Sequence, residues 1–429
     1  MNDAGDPSAA ERVYGFPVHP DRARALGEVH ARPAPLFSAP RLLIQLAFVI
    51  EGDADADFAT ISSLARSAGA VAPDASVRHH TIPVGSGLLH WERHTEFSTF
   101  SWEGPLTAKD ASLGSHPFGS AFSAPGKVIS GVRLEIRKWT KAAEKLVDLF
   151  DPASLCFSTV EGGKAAIVTD FRQDGDGLTR VLILDGGLTD ARTGLLAQRV
   201  LEIETYRTLA MLGLPLAQTL SSDLRRMEDK LADITSAMRS DSAERDNVAL
   251  LADLAALAAE LESQAASSGY RFGASRAYDG IVTERPSALR ETSVEGHKTW
   301  TAFLEKRLAP AMRTCRSVAE RQESLSRKLA RTTQLLRSWV DVELESQNRS
   351  VLESMNRRAR LQLRLQQTVE GLSVAAVSYY VVGLIGYVAK GLEKELPVSA
   401  TLVTALSVPL VVFAIWQTVR RIRRAHSGD

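Results

Sequence analysis

The densest group of side chains that could do chemistry lies between His90 and Phe97, where the chain reads His-Trp-Glu-Arg-His-Thr-Glu-Phe. Alternate residues of an extended strand share a face, so His90, Glu92, His94 and Glu96 would line one side. Imidazole nitrogens and carboxylate oxygens at that spacing could hold a divalent metal such as zinc or manganese. The alternative, which we favour, is a polar sheet face stabilised by cross-strand pairs.

A second polar group occurs near the N-terminus, in the segment Glu28-Val-His-Ala-Arg-Pro33. Glu28, His30 and Arg32 concentrate charged and imidazole groups in a loop that ends at a proline. Arg32 could bind an anion, or the loop could contact a neighbouring subunit. The alternative is a surface segment held by a few hydrogen bonds.

The remaining sequence contains no convincing pairing of a nucleophile with a base, and no P-loop or dinucleotide fingerprint. Cys156 falls in an apolar strand and Cys315 in an apolar helical seam, so we expect both in the core. Lys plus Arg and Asp plus Glu each number 51, a balance that does not favour nucleic acid as a partner. We therefore expect no enzymatic activity and no cofactor, apart from a divalent cation at the histidine-glutamate group.

The mixture of strand-like, helix-like and turn-like segments predicts an α+β domain over residues 14–188. A disordered segment is expected before it, over residues 1–13. The apolar patterning and the glycine turns predict a mostly antiparallel or mixed sheet. Its strands are predicted at 42–50, 77–84, 88–102, 155–160, 165–171 and 179–184, and its helices at 58–68 and 132–150.

Residues 189–296 have the pattern of antiparallel helices. A helix is predicted over 191–212 with Thr189 or Asp190 as its N-cap, followed by a helical stretch over 216–264. Residues 267–296 contain Gly269, Gly273, Gly280 and Pro286, which predict turns and a short or kinked helix.

A long stalk helix is predicted over 297–371, since no proline or glycine occurs between Pro310 and Gly371. Apolar residues recur along it at heptad spacing, interrupted by Gln322 and Thr332. This seam predicts a partner helix, and hence a coiled coil. Its apolar members are Leu304, Leu308, Ala311, Cys315, Val318, Leu325, Leu329, Leu336 and Trp339.

The last part of the chain predicts a transmembrane hairpin. The stretches 372–389 and 398–419 contain no charged residue, and each is about 20 residues long, enough to cross a bilayer as a helix. Arginines flank both: Arg357, Arg358, Arg360 and Arg364 before the first, and Arg420, Arg421, Arg423 and Arg424 after the second. Because arginine is retained in the cytoplasm, both termini, including the basic tail 420–429, are expected there.

Several residues of the hairpin could face a passage or pack against a second helix. Tyr380 and Tyr387 lie two turns apart on one helix face, and Gly383 and Gly386 permit close helix approach. Lys390 follows at the end of the first stretch. Ordinary helix packing with interfacial tyrosines is the alternative to a pore.

Five stretches together resemble the bacterial family of uncharacterised membrane-anchored proteins known as domain of unknown function 3422. They are His19-Pro20 with 28–33, Trp91 to Phe100, the helix 196–212, Leu308 to Cys315, and Thr368 to Ser373 continuing to Tyr379–Gly383. The resemblance covers nearly the whole chain and implies a membrane protein, expected in the bacterial inner membrane. It implies no activity and no catalytic residue.

The layout is also similar to that of CorA-type divalent-cation channels, which place a cytoplasmic α+β domain before a long stalk helix and two C-terminal spans. Those channels end the first span with Gly-Met-Asn, whereas this chain reads Gly-Tyr-Val-Ala-Lys-Gly from Gly386. A ring of Lys390 side chains would repel cations and favour an anion.

Three hypotheses follow. The first is a CorA-like ion channel or transporter that self-associates through its stalk and transmembrane helices and has a cytoplasmic regulatory domain. The second is a membrane-tethered scaffold or sensor without transport activity. The third is a metal-dependent enzyme that uses His90, Glu92, His94 and Glu96.

Overall fold

The structure is a computed structural model, and it describes residues 12–14, 16–22, 26, 35–50, 55–75, 77–106, 116–239, 246–392 and 399–426. The chain divides into two units, residues 1–331 and residues 332–429. Each is described by itself.

The first unit is built on a nine-stranded sheet, which confirms the predicted mixed sheet. Its strands are β3 (Arg41–Val49), β4 (His79–Val84), β5 (Gly87–Arg93), β6 (Phe97–Gly104), β7 (Lys127–Lys138), β8 (Cys156–Val160), β9 (Ala165–Gln173), β10 (Thr179–Asp185) and β11 (Thr292–Ser293). They follow the order β11-β8-β9-β10-β7-β3-β6-β5-β4, and only β7 and β10 run parallel. Two short strands, β1 (Arg12–Val13) and β2 (Phe16–Pro17), pair separately.

The strands β3, β6, β5 and β4 have one strongly apolar face. Side chains such as Phe48, Leu89 and Trp102 on that face form a buried cluster with Ile61 and Leu64 of helix α1 (Ala56–Ser67). Period-two alternation puts the neighbouring residues of the same strands on the opposite face. This second face is polar, and it carries the candidate site.

The prediction of a helix over 132–150 is wrong, because most of this segment belongs to β7. Val132, Leu134 and Ile136 are fully buried and alternate with charged residues, which is a period of two rather than 3.6. Helix is restricted to α2 (Lys141–Glu144) and a 3₁₀ turn at Lys145–Leu149. The strand predicted over 88–102 is likewise two strands, β5 and β6.

Three helices follow the sheet: α3 (Asp190–Met211), α4 (Gly213–Ala237) and α5 (Asn247–Leu289). The predicted cap is confirmed, since Thr189 accepts a hydrogen bond from the backbone N–H of Arg192. The predicted turn region after 267 is wrong, because α5 continues through Gly269, Gly273 and Gly280 and contains Pro286. Buried side chains on this stretch, including Phe272 and Val282, outweigh the low helix propensity of its glycines.

The long stalk helix is α6 (Trp300–Leu392), 93 residues that include Pro310 in the helix interior. Its seam from Leu304 to Leu329 is buried, as is Gln322. The partner helices lie in the same chain: Gln322 hydrogen-bonds Ser268 of α5 at 3.2 Å, and Arg321 pairs with Glu228 of α4 at 2.7 Å. The seam therefore does not require a second copy over this length, whereas Trp339, at its end, is 41% exposed.

The second unit contains the rest of α6 and helix α7 (Ala400–His426). Both helices hold a stretch long and apolar enough to cross a membrane. Only 6% of the first stretch and none of the second is buried within the chain, unlike the core helix of a soluble protein. The two helices approach closely at Gly386, where a Cβ would lie 3.3 Å from Oγ1 of Thr404.

Candidate ligand-binding cavity

A cavity of about 250 Å³ lies between the polar face of β3, β6, β5 and β4 and one side of α3. The helix contributes residues at the spacing of one face, among them Leu201, Thr205 and Tyr206. The opposite face of the same strands is filled by the apolar cluster beneath α1. One layer of sheet thus separates a packed core from a polar cavity.

A row of polar side chains crosses the four strands on the cavity side. Thr81, His90, Ser101 and Gln45 lie directly opposite one another in the strand register. The Oγ1 of Thr81 is 3.0 Å from Nδ1 of His90, and the hydroxyl of Ser101 donates to Oε1 of Gln45 at 2.6 Å. Gln45 in turn donates to Oγ1 of Thr205 at 2.8 Å. Hydrogen bonds thus join Thr81 to His90 in one part of the row, and join Ser101 through Gln45 to Thr205 of α3 in the other.

Glu103 of β6 lies beside this row and is the most buried carboxylate of the cavity, with a side chain 9% exposed. Its Oε2 accepts a hydrogen bond from Arg41 at 2.8 Å, and its Oε1 lies 3.3 Å from Nε2 of His90. Burial alone would raise the pKa of Glu103. The hydrogen bond with His90 and the charge of Arg41 outweigh it, so the pKa of Glu103 is lowered and the carboxylate is ionised at neutral pH.

A second row, parallel to the first, contains His79, Glu92 and Thr99. Oε2 of Glu92 lies 3.7 Å from Nε2 of His94. Thr99 is only 6% exposed and lines the cavity.

Of the four residues predicted as a metal stripe, His90, Glu92 and His94 line the cavity and Glu96 does not. His90 and Glu92 share a face of β5, whereas His94 lies beyond the strand and stacks on Phe97 with ring centroids 4.2 Å apart. Glu96 is held by both terminal nitrogens of Arg271 in α5, at 2.9 and 3.1 Å. Within the described residues, no group of three or more His, Cys, Asp or Glu could hold a metal ion. His94 and Glu96 do not continue the face that His90 and Glu92 share, because the strand ends at Arg93.

Glu96 and Arg271 border an aromatic cluster next to the cavity. Phe97 makes edge contacts with Tyr206 and Tyr278, at centroid distances of 6.0 and 6.2 Å. Burial and the nearby charge of Glu96 raise the pKa of Tyr278, so this phenol stays protonated. The cluster fixes α3 and α5 against the edge of the cavity.

The other predicted residues have different outcomes. Glu28, His30 and Arg32 lie outside the described residues, so the proposed anion site stays a prediction. Cys156 and Cys315 are buried, as expected. Burial raises the pKa of Cys156 to about 12, which leaves it an unreactive thiol.

In the hairpin, Tyr380 and Tyr387 are 70% and 76% exposed, and Gly383 has open space around it. Gly386 packs against Thr404, and Lys390 is exposed in the last turn of α6. Gly386 is therefore a packing position. The pore-facing roles of the other residues stay predictions, since two helices of one chain enclose no passage.

The fold and cavity define a class of protein in which a sheet-and-helix unit with a polar pocket is joined to two helices apolar enough to cross a membrane. The chain belongs to the family described as protein of unknown function, DUF3422, whose family model matches residues 17–426. This confirms the resemblance noted from the sequence. No curated protein matches the chain.

Sequence reasoning missed most of the cavity. Gln45 stands in an apolar run, and Thr99, Glu103 and Thr205 are ordinary polar residues of a strand or helix. One signal was present: Gln45 is the single polar residue among the buried positions 42–48. A polar side chain in a buried strand predicts a hydrogen-bond partner at the same depth.

Proposed function

We propose that this protein is a membrane-tethered sensor that binds a small molecule in the cavity between the sheet and α3. The observation that carries the proposal is the cavity itself, with a row of polar side chains on its floor in which Gln45 donates a hydrogen bond to Thr205 of α3. A concave site with a few convergent polar groups is typical of a binding site for a small ligand.

The second part of the proposal concerns location. The two apolar helices cross the bacterial inner membrane as a hairpin, and both chain ends lie in the cytoplasm. The support is their length, their lack of burial within the chain, and the arginines on their outer flanks. This topology can be tested with two variants, Ser326→Cys and Ser399→Cys, each made in a background without Cys156 and Cys315. Intact cells that produce each variant are treated with a membrane-impermeant thiol reagent. Labelling of Ser399→Cys alone supports the topology, and labelling of Ser326→Cys contradicts it.

The ion-channel hypothesis has less support than the sensor. Part of its motivation was a free helical seam for self-association, and the seam up to Leu329 is buried against helices of the same chain. Replacing the hairpin by an unrelated one separates the two hypotheses. A sensor with the unrelated hairpin should still bind its ligand. Ion flux into vesicles that contain the wild-type protein, and no flux with the replaced hairpin, would favour a channel.

A thermal-shift screen on the detergent-solubilised full chain tests ligand binding. The compounds should have fewer than about 12 non-hydrogen atoms and cover amines, alcohols, amides and carboxylates. A ligand at 100 times its Kd stabilises the folded state by about 2.7 kcal/mol, which raises the unfolding midpoint measurably. Ser101→Trp should remove the shift by filling the cavity, and Ser63→Trp, exposed on α1, should keep it. A shift that survives Ser101→Trp would contradict binding in the cavity.

A further inference from the structure

We infer that one end of the helical hairpin is a binding surface for anionic phospholipids, and that its arginines contact the phosphate groups of the lipid headgroups. The surface, which we call the arginine cluster, consists of Arg360 and Arg364 of α6 and Arg420 and Arg421 of α7, all of them exposed. The inference rests on the proposed location of the hairpin in a membrane and adds the class of lipid that it binds. All four residues belong to the second unit.

The charge pattern of α6 changes as the helix approaches the hairpin. Farther from the hairpin, Arg349 pairs with Glu353 one turn later, at 3.5 Å. Between Glu353 and Glu370 the sequence then has four arginines and no acidic residue. Neither Arg360 nor Arg364 has an acid three or four positions away, which is the spacing of ion pairs along a helix. The helix itself therefore offers these two arginines no counter-charge.

The second helix of the hairpin brings two more arginines to the same end. α6 and α7 are in contact where Gly386 approaches Thr404. Arg420 follows Thr404 by 16 residues, about 24 Å along α7, and Arg421 comes next. Arg364 precedes Gly386 by 22 residues, about 33 Å along α6. Because a hairpin reverses the chain direction, Arg364 and Arg420 lie at one end of it, about 9 Å apart in height.

The arginine cluster lies at the height of the lipid headgroups. A hydrocarbon core of about 30 Å takes about 20 helical residues, which extend from Ala389, the end of the charge-free stretch, back to Glu370. Glu370 and Arg420 are each 16 residues from the helix contact, so both lie at the edge of the core. Arg364 lies about 9 Å farther out, and the headgroup layer is roughly 5 to 8 Å thick. The long arginine side chain covers the difference.

Exposed leucines beside the arginine cluster favour a lipid surface over a second helix as the partner. Leu363 and Leu365 are 59% and 66% exposed. Successive residues of a helix are about 100° apart, so these two side chains lie about 160° apart, on nearly opposite sides of α6. One partner helix covers a stripe of roughly 100° and cannot cover both. Lipid surrounds a helix and contacts both side chains at once.

A tryptophan marks the same interface on α7. The guanidinium of Arg420 lies 4.9 Å from the ring centroid of Trp416, which is 46% exposed. Tryptophan is enriched where the hydrocarbon core meets the headgroups. The attraction between the indole face and the cation holds the Arg420 guanidinium at that height, where lipid phosphates are within reach.

The lipid selectivity of the full chain tests the inference. The purified protein is reconstituted into phosphatidylcholine vesicles that contain a trace of spin-labelled phosphatidylglycerol or of spin-labelled phosphatidylcholine. Electron paramagnetic resonance measures the fraction of each label whose motion the protein restricts. We expect phosphatidylglycerol to associate about fivefold more strongly, the gain that one arginine near an anionic surface provides. Added salt should reduce this preference, because it screens exposed charges.

Substitutions in the arginine cluster should lower the preference for phosphatidylglycerol in two steps. Arg360→Gln with Arg364→Gln should lower it at least twofold. Adding Arg420→Gln and Arg421→Gln should abolish it, so that both lipids associate equally. A preference that survives all four substitutions would overturn the assignment to these arginines.

The matched control is Arg337→Gln with Arg349→Gln. These are exposed arginines of the same helix, and the nearer one is about 22 Å farther from the membrane than Arg364. This variant should keep the wild-type preference, and an equal loss in it would overturn the inference. Arg360→Lys with Arg364→Lys retains the charge and should keep most of the preference, which separates loss of charge from damage to the helix.

The outcomes separate this inference from the proposed location of the hairpin. If Ser399→Cys is labelled in intact cells and the wild-type chain restricts both lipids equally, the location stands and the inference is wrong. If Ser399→Cys is not labelled and the chain restricts neither lipid, both are wrong. Labelling together with a preference that only substitutions in the arginine cluster remove supports both.

Discussion

The Nε2 atom of His90 lies 3.3 Å from the Oε1 atom of Glu103, on neighbouring strands at the floor of the cavity. The other oxygen of the same carboxylate accepts from Arg41 of β3, and the other nitrogen of His90 faces Thr81 of β4. One acid–imidazole pair thus links four adjacent strands through side chains. These four side chains form a connected network. We expect the ionised carboxylate of Glu103 to contribute to the stability of the first unit.

Glu103→Gln should therefore destabilise the protein in a pH-dependent way. The pKa of Glu103 is lowered in the folded state, so its contribution is fully present above the unfolded pKa of about 4.3 and is lost as pH falls through the lower folded value. We expect a loss of about 1 to 3 kcal/mol at pH 7.5 and a smaller one below about pH 4. Thermal unfolding midpoints at both pH values measure it.

The control for this experiment is Glu305→Gln, which changes an exposed glutamate of α6. It should leave the midpoint unchanged at both pH values. A deficit of Glu103→Gln that is the same at pH 7.5 and at pH 4 would mean that the charge of Glu103 does not stabilise the fold.

Arg271→Met should be strongly destabilising, because it leaves the Glu96 carboxylate, 7% exposed, without its bidentate partner. Breaking a buried pair from one side costs about 3 to 5 kcal/mol. The double variant Glu96→Gln with Arg271→Met should recover most of this loss, as no uncompensated charge remains. Chemical unfolding of the four members of this cycle gives the coupling energy. A coupling near zero would argue against the ion pair.

Gly194→Ala should destabilise the junction of α3 with the segment at Pro35. A Cβ at Gly194 would lie 1.7 Å from the carbonyl oxygen of Pro35, so the backbone must move. Gly273→Ala is the matched control within a helix, with nothing within 4 Å of its Cβ position. It should stabilise the protein by about 0.5 to 1 kcal/mol through helix propensity. Opposite shifts of the two unfolding midpoints are the expected result; two upward shifts would contradict the close approach.

Gly386→Val should weaken the packing of α6 against α7, because the Cβ position already lies 3.3 Å from Thr404. Gly383→Val, in open space on the same helix, should have little effect. Disulfide formation between cysteines placed at Tyr387 and Thr404 in purified protein reports helix approach in each background. Equal crosslinking yields in the Gly386→Val and Gly383→Val backgrounds would contradict the packing role of Gly386.

Local patterns in the sequence were enough to predict several elements. The apolar run at 42–50 corresponds to β3, the spacing at 58–68 to α1, and Thr189 caps α3 as expected. Two errors had local causes that the sequence also contained. The alternation of Val132, Leu134 and Ile136 is a strand signal, and the buried side chains of α5 carry the helix through its glycines.

The cavity could not be predicted in the same way, because its partners are far apart in the chain. Gln45 and Thr205 are separated by 160 positions, and Glu96 and Arg271 by 175. Nothing in the stretch from His90 to Glu96 indicates that Glu96 forms an ion pair with an arginine of α5. The partners of the α6 seam likewise become evident only once α4 and α5 are folded beside it.

Hydrogen–deuterium exchange on the full chain in lipid nanodiscs tests the central claim most directly. The protein is compared with and without the most stabilising compound of the thermal-shift screen. Ligand binding in the cavity predicts slower exchange in β5, β6 and α3 (Asp190–Met211), and no such change in Ser101→Trp. Protection elsewhere with these elements unchanged, or protection that persists in Ser101→Trp, would contradict a sensor that uses this cavity.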